Sequence, residues 1–136
     1  MLAIVAPGQG SQTPGFLTPW FEHFAGVPQI AQMVDHWSQL SGVDLKHLGT
    51  TANADEIRDT ANAQPLLLLG ALTGAGALFA GNDENISVVA GHSVGEIAAA
   101  TFAKIINADD AFTLVSARGR EMAKAAAITK TGMSAV

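Results

Sequence analysis

The stretch Ile86-Ser87-Val88-Val89-Ala90, then Gly91-His92-Ser93-Val94-Gly95, then Glu96-Ile97-Ala98-Ala99-Ala100 decides the fold. An apolar run of β type meets a GxSxG pentad, and an alanine-rich pattern of helical period starts directly after it. A strand that turns this sharply into a helix needs residues without a Cβ on both sides of the corner, which Gly91 and Gly95 supply. Ser93 then stands at the apex with its hydroxyl exposed, at a helix N-terminus where free N–H groups and the helix dipole favour negative charge. Ser93 is the candidate nucleophile, and acyl transfer is the reaction class its setting suggests. The competing reading of a GxSxG string, an ordinary strand-to-helix corner, is weakened by the β run before it and the helix after it.

Upstream, Leu2-Ala3-Ile4-Val5-Ala6 is a second continuous apolar run, ended by Pro7-Gly8, and suits a parallel strand covered on both faces. From Pro28, Ile30, Met33, Val34, Trp37 and Leu40 fall at helix spacing, with Gly42 placed to end the helix in the left-handed conformation. Asn53 or Asp55 is expected to cap a short helix through Thr60. Pro65 falls where a first-turn proline would open a buried helix over 66–80, shorter than the roughly 20 residues that span a bilayer and interrupted by Gly70, Gly74 and Gly76. Residues 82–85 read as a polar turn.

Downstream, Ile97, Ala98, Thr101, Phe102 and Ile105 make one helix face. Asn107 and Asp110 resemble a capping box for a last helix carrying Ala111, Leu114, Val115, Met122 and Ala125 on one side. Alternating strands and helices predict a three-layer α/β arrangement with a parallel sheet. Residues 132–136 read as a turn entering another strand, so the chain is expected to be the N-terminal part of a longer protein or one piece of a split one.

Composition narrows the function classes. The 136 residues are 49% apolar and only 14% charged, with a formal net charge of -5, which predicts a buried core and no basic run able to follow nucleic acid. No cysteine is present, which removes disulfides, thiolate metal sites and a cysteine nucleophile, and fits a reducing cytoplasm. His23, His36, His47 and His92 lack close ligand spacing, so no metal is expected. The start has neither the basic flank nor the long apolar core of a secretory signal. No membrane association and a monomer are the expectations.

Three features surround the serine. Pro7-Gly8-Gln9-Gly10-Ser11-Gln12 begins like a dinucleotide fingerprint, but Thr13 stands where the third glycine is needed and no GK[ST] follows. At the C-terminal edge of a parallel sheet this loop can instead present the Gln9 N–H beside that of Val94, making an oxyanion hole. Arg118 falls on the apolar stripe of the last helix while Arg120 points the opposite way. A guanidinium placed there snorkels, pairs with an internal carboxylate, which is the commonest case, or receives an anionic ligand, for which its planar fork suits a carboxylate. Gln64, just before Pro65, is a possible pocket residue, though a cap or turn role is commoner. His92 is a second possible pocket residue. Neighbours in a sharp turn project in different directions, so it is expected to support the elbow by a hydrogen bond rather than take the Ser93 proton. Glu96 complements the helix dipole.

Taken together, Pro7 to Gln12, Gln64-Pro65, Gly91 to Glu96 and Ala117-Arg118-Gly119 resemble the malonyl-CoA:acyl carrier protein transacylases of bacterial fatty-acid synthesis, and the related acyltransferase domains of polyketide synthases. Order and spacing agree, Arg118 lying 25 positions beyond Ser93, and the resemblance runs over essentially the whole chain. It implies an α/β-hydrolase-like core, with residues 1–131 the N-terminal part of the large acyltransferase subdomain and 132–136 the start of an inserted ferredoxin-like subdomain. It further implies a malonyl-Ser93 intermediate, an oxyanion hole from Gln9 and Val94, and Arg118 as the clamp on the free malonyl carboxylate. Malonyl-CoA and acyl carrier protein would be the partners, with no bound cofactor beyond the CoA thioester and the phosphopantetheine of the carrier. A catalytic histidine and its supporting residue would come from a later segment. The rival readings are a serine thioesterase or esterase, which shares the elbow but delivers the acyl group to water, and a non-catalytic fragment that binds a carrier protein.

Overall fold

The computed structural model describes residues 2–79 and 86–128. The expected polar turn at 82–85, the strand start at 132–136 and the boundary after 131 lie outside the described residues. Strand β1 (Leu2–Ala6) and strand β2 (Ile86–Gly91) pair in parallel, with Ala6 opposite Gly91 and an irregular register between Leu2 and Ala3. Because parallel strands end on the same side, the loop after β1 and the GxSxG corner after β2 leave one sheet edge together.

Between the strands come α1 (Thr18–His23), α2 (Pro28–Ser41), α3 (Leu45–Thr50), α4 (Ala54–Arg58) and α5 (Thr60–Phe79); after β2 come α6 (Gly95–Phe102) and α7 (Ala108–Ile128). The α/β class and the parallel sheet agree with the sequence reading. Local signals account for the helix ends. Gly42 closes α2 at φ 72°, where a Cβ would be strained. Asn53 caps α4 in a reciprocal box with Glu56. Before α7, Asn107 accepts from the Asp110 N–H at 2.9 Å and its amide donates to the Asp110 carboxylate at 2.8 Å. The shorter aspartate thus reaches the side chain rather than the backbone of the cap.

Helix α5 is the hub, packing on α3, α4, α6 and α7. Leu66, Leu67, Leu68 and Leu69 are all buried, because the helix is surrounded on every side at that level. Each such leucine stabilises the fold by roughly 2 kcal/mol. Trp37 of α2 stacks on Phe112 of α7 at 4.7 Å and donates its indole N–H to Asp109 at 3.0 Å, joining the outer helix to the core.

Several expectations need correction. Helix α5 begins five residues before Pro65, started by Asp59 accepting from the Ala61 N–H at 2.8 Å, so the proline lies inside the helix. At 20 residues α5 is long and apolar enough to cross a membrane by length and composition, and the length argument against a span fails. Its first half, 63–69, is instead buried against the neighbouring helices. The strands are not covered on both faces among the described residues: Val5 is 72% exposed, and of β1 only Ala6 is buried. Among the described residues the sheet has two strands, neither paired on its outer edge, and α6 packs on both. Ile105 lies beyond α6 and is 80% exposed. Leu40 is exposed while its neighbour Ser41 is buried. On α7 the buried face runs through Ala111, Phe112, Val115, Ser116 and Gly119, leaving Leu114, Met122 and Ala125 exposed. The stripe is rotated because the α7 side facing α5 selects small residues rather than the most apolar ones.

Candidate active site

The corner after β2 is a strained turn held from below. Ser93 has φ 56°, a left-handed conformation that costs a residue with a Cβ about 1–2 kcal/mol. The His92 N–H donates to the Ala6 carbonyl at 3.1 Å, and the Gly95 N–H returns to the His92 carbonyl at 3.0 Å. A Cβ on Gly91 would fall on the backbone of Gly95, and one on Gly95 on the carbonyls of Ala6 and Pro7. Both glycines are therefore required by contact between main chains. Ser93 itself is half-buried, and α6 starts two residues later, so its apex faces a helix N-terminus.

The loop after β1 is fixed by its own side chains. Gln9 donates from Nε2 to the Thr60 hydroxyl at 3.1 Å and to the Arg58 carbonyl at 3.3 Å. Gln12 donates to the Ile57 carbonyl at 3.0 Å and accepts from the Gly10 N–H at 2.8 Å. The Ser11 hydroxyl donates to the Gly8 carbonyl at 3.0 Å. The two glutamines thus fasten the loop to the α4–α5 corner. Gly8 lies under the His92 ring, where a Cβ would stand 2.5 Å from Nδ1. Among the described residues the backbone N–H groups of Gln9 and Val94 donate to no protein acceptor.

Arg118 closes the constellation. One terminal nitrogen donates to Ser93 Oγ at 3.1 Å and the other to Gln64 Oε1 at 2.7 Å. Gln64 is 1% exposed and donates from Nε2 to Met122 Sδ at 3.1 Å. Arg118 is half-buried, at the margin of the α7 buried face rather than in its middle. Among the described residues it has no carboxylate partner, so the commonest outcome for a guanidinium in such a place is not the one found. Arg120 points elsewhere, donating to the Ser41 carbonyl at 3.5 Å. Gly119 lets α7 approach α5 closely enough for this geometry: a Cβ there would stand 2.8 Å from the Thr60 carbonyl.

The structure brings together Ser93, Arg118 and Gln64, and sets the Gln9 loop beside the corner through His92 and Gly8. No histidine among the described residues hydrogen-bonds to Ser93. His36 pairs with Asp109 at 2.9 Å, His47 with Glu56 at 3.0 Å and Thr51 at 2.8 Å, and His23 lies edge-on to Phe24. His23 is the last residue of α1, and His47 lies within α3. The His92 ring is exposed and makes no hydrogen bond among the described residues, so its support of the corner runs through its backbone alone. Sequence reasoning missed the anchoring roles of the Gln9 and Gln12 side chains, placed Met122 only on the apolar side of the last helix, and gave Gly119 no role of its own. The glycine directly after Arg118, inside a helix that gains nothing from it locally, was the available signal.

Comparison with known proteins shows the family of the chain. The profile of the acyl transferase domain family matches residues 4–136. The malonyl CoA-acyl carrier protein transacylase of Mycobacterium tuberculosis is 50% identical over 141 aligned positions, covering 100% of this chain and 44% of its own length. The crystal structure of the Mycobacterium tuberculosis MCAT superposes with a TM-score of 0.82 at 48% identity, over 93% of this chain and 41% of that one. A malonyl-transacylase in complex with its type II PKS acyl-carrier protein superposes with a TM-score of 0.74 at 32% identity, over 90% of this chain and 39% of that one. The chain thus spans less than half the length of the relatives it matches.

Proposed function

The chain belongs to the acyl transferase domain family, and on that premise we propose that it carries the acyl-accepting serine and the carboxylate clamp of a malonyl-CoA:acyl carrier protein transacylase. The observation that carries this reading is the unpaired guanidinium. A half-buried cation is costly without an anion, and among the described residues Arg118, 3.1 Å from Ser93 Oγ, has only neutral oxygens as partners. An acyl group that brings its own carboxylate completes the site.

In the proposed cycle Ser93 Oγ attacks the thioester carbonyl of malonyl-CoA. The Oγ–carbon bond forms, the carbon–sulfur bond breaks, and the CoA sulfur leaves with the proton that the serine gave up. The free N–H groups of Gln9 and Val94 bind the oxyanion that appears during attack. The phosphopantetheine thiol of the carrier protein then attacks malonyl-Ser93 in the mirror-image step. The base that moves the proton is, on the family resemblance, a histidine supplied by a segment outside these residues. No cofactor takes part, and the cytoplasm is the compartment proposed. Arg118 holds the malonyl carboxylate in both half-reactions, and an acetyl group would leave it unpaired at a cost of about 1–3 kcal/mol.

The test is intact-protein mass spectrometry on the intact gene product, mixed with malonyl-CoA and then with phosphopantetheinylated carrier protein. The wild type is expected to gain one malonyl group and to lose it to the carrier, while Ser93→Ala gains none. Release of free malonate without transfer would replace this reading by the thioesterase one.

A further inference from the structure

We propose that Gln64 is the positioning residue of the clamp, holding Arg118 aimed at the Ser93 site while leaving its charge uncancelled, so that the neutrality of this side chain underlies selection for acyl groups bearing a carboxylate. The proposal rests on the reading of Arg118 given above.

Donor and acceptor accounting fixes the arrangement. A guanidinium has five donors and no acceptor, so Gln64 must present its oxygen, which it does at 2.7 Å. The amide nitrogen then faces away from Arg118 and needs an acceptor of its own. Met122, one helical turn beyond Arg118 on the same side of α7, provides sulfur at 3.1 Å. Gln64 is thereby pinned between two α7 side chains, and at 1% exposure it is shut off from bulk solvent. Its place in the second turn of α5, the helix that also takes the Gln9 side chain on Thr60, couples the clamp to the loop beside the nucleophile.

Neutrality is the point of chemistry. A carboxylate at this position would face Arg118 at hydrogen-bond distance and act as a permanent internal substitute for the substrate's anion. An apolar residue of equal length would leave one arm of the guanidinium without an acceptor and free to swing. A glutamine holds that arm with a polar but uncharged oxygen. The full positive charge, and the donors not used by Gln64, remain for the incoming group.

Three variants of the intact gene product test this, each assayed for transfer from malonyl-CoA and from acetyl-CoA, with thermal melting recorded. Gln64→Glu is expected to lower kcat/KM for malonyl transfer about 100-fold and to leave acetyl transfer within about threefold, collapsing the ratio between them. Gln64→Met, which places no charge in the core, is expected to lower the ratio about tenfold through the malonyl KM. If Gln64→Glu does not fold, the Met variant carries the test. Equal losses for both substrates, or an unchanged ratio in the Met variant, would overturn the proposal and leave Gln64 a packing residue. Arg118→Ala separates the two readings: if it leaves the ratio unchanged the clamp itself fails. If it collapses the ratio while the Gln64 variants keep it, only the role of Gln64 falls.

Discussion

At Ser93 and Arg118 the physical requirements are local and conflicting. The serine accepts a left-handed backbone at φ 56° because β2 and α6 hold both of its neighbours, and strain of this kind persists only where the surroundings impose it. The arginine accepts partial burial with no anionic partner among the described residues. Arg118→Lys keeps the charge but replaces the planar fork by one ammonium centre, which does not reproduce the two separate donor positions now aimed at Ser93 and Gln64. Steady-state malonyl transfer should fall about 10- to 100-fold in this variant, with the melting temperature little changed. Activity equal to wild type would show that the fork is not used. The positions of Ser93, Arg118 and the glycines around the corner were legible in the sequence because each breaks a local rule, as a serine in a tight glycine-flanked turn or a cation on an apolar stripe. Gln64 was legible only as a possibility, since its partner sulfur lies 58 positions away and no local pattern joins them.

Among elements, the contact between α5 and α7 places the site. Gly119→Ala would put a methyl group 2.8 Å from the Thr60 carbonyl, a main-chain atom that cannot rotate aside. The helices must separate, which is expected to destabilise the protein by about 1–3 kcal/mol in denaturant melts. Malonyl transfer should fall further than acetyl transfer, because Arg118 is the adjacent residue. By contrast Asn53→Ala, which removes the α4 cap, should cost about 1 kcal/mol and leave the substrate ratio unchanged. Caps, the Gly42 stop and the periodicity of α2 were readable because they are properties of a few consecutive residues. The start of α5 was not, since Pro65 argues locally for a helix beginning there, while Asp59 and the packing around 63–69 win by starting it earlier. The buried face of α7 was misjudged for a related reason: close approach selects alanine, serine and glycine, and Leu114 is left outside.

For the whole molecule, two surface pairs, His47–Glu56 between the consecutive helices α3 and α4 and His36–Asp109 between α2 and α7, give stability a pH dependence. The hydrogen bond from His47, with that from the Asn53 N–H, holds the Glu56 carboxyl below its ordinary 4.5; those from His36 and from Trp37 hold Asp109 below 3.8. A carboxyl with a depressed folded-state pKa contributes stability that is present above its unfolded value and is lost as pH falls through the folded one. Melting temperature should therefore drop as pH is lowered through about 4.5 and further below, and Glu56→Gln combined with Asp109→Asn should flatten that limb. An unchanged acid limb would show that these pairs contribute nothing measurable, as exposed pairs often do. The α/β class was readable from the alternation of strands and helices, but the cover over the strands was not. An apolar run states that a strand tolerates burial, and what lies on it is set by neighbours that no local pattern names.

A serine at a strained corner and an uncancelled guanidinium beside it are proposed to form one site that takes a carboxylate-bearing acyl group. The most direct measurement mixes the intact gene product with equal amounts of malonyl-CoA and acetyl-CoA and reads the acyl group on Ser93 by intact mass and peptide mapping. The wild type should carry malonyl almost alone, Arg118→Ala should carry both or mainly acetyl, and Ser93→Ala neither. Equal malonyl and acetyl occupancy on the wild type, or an adduct that persists in Ser93→Ala, would contradict it.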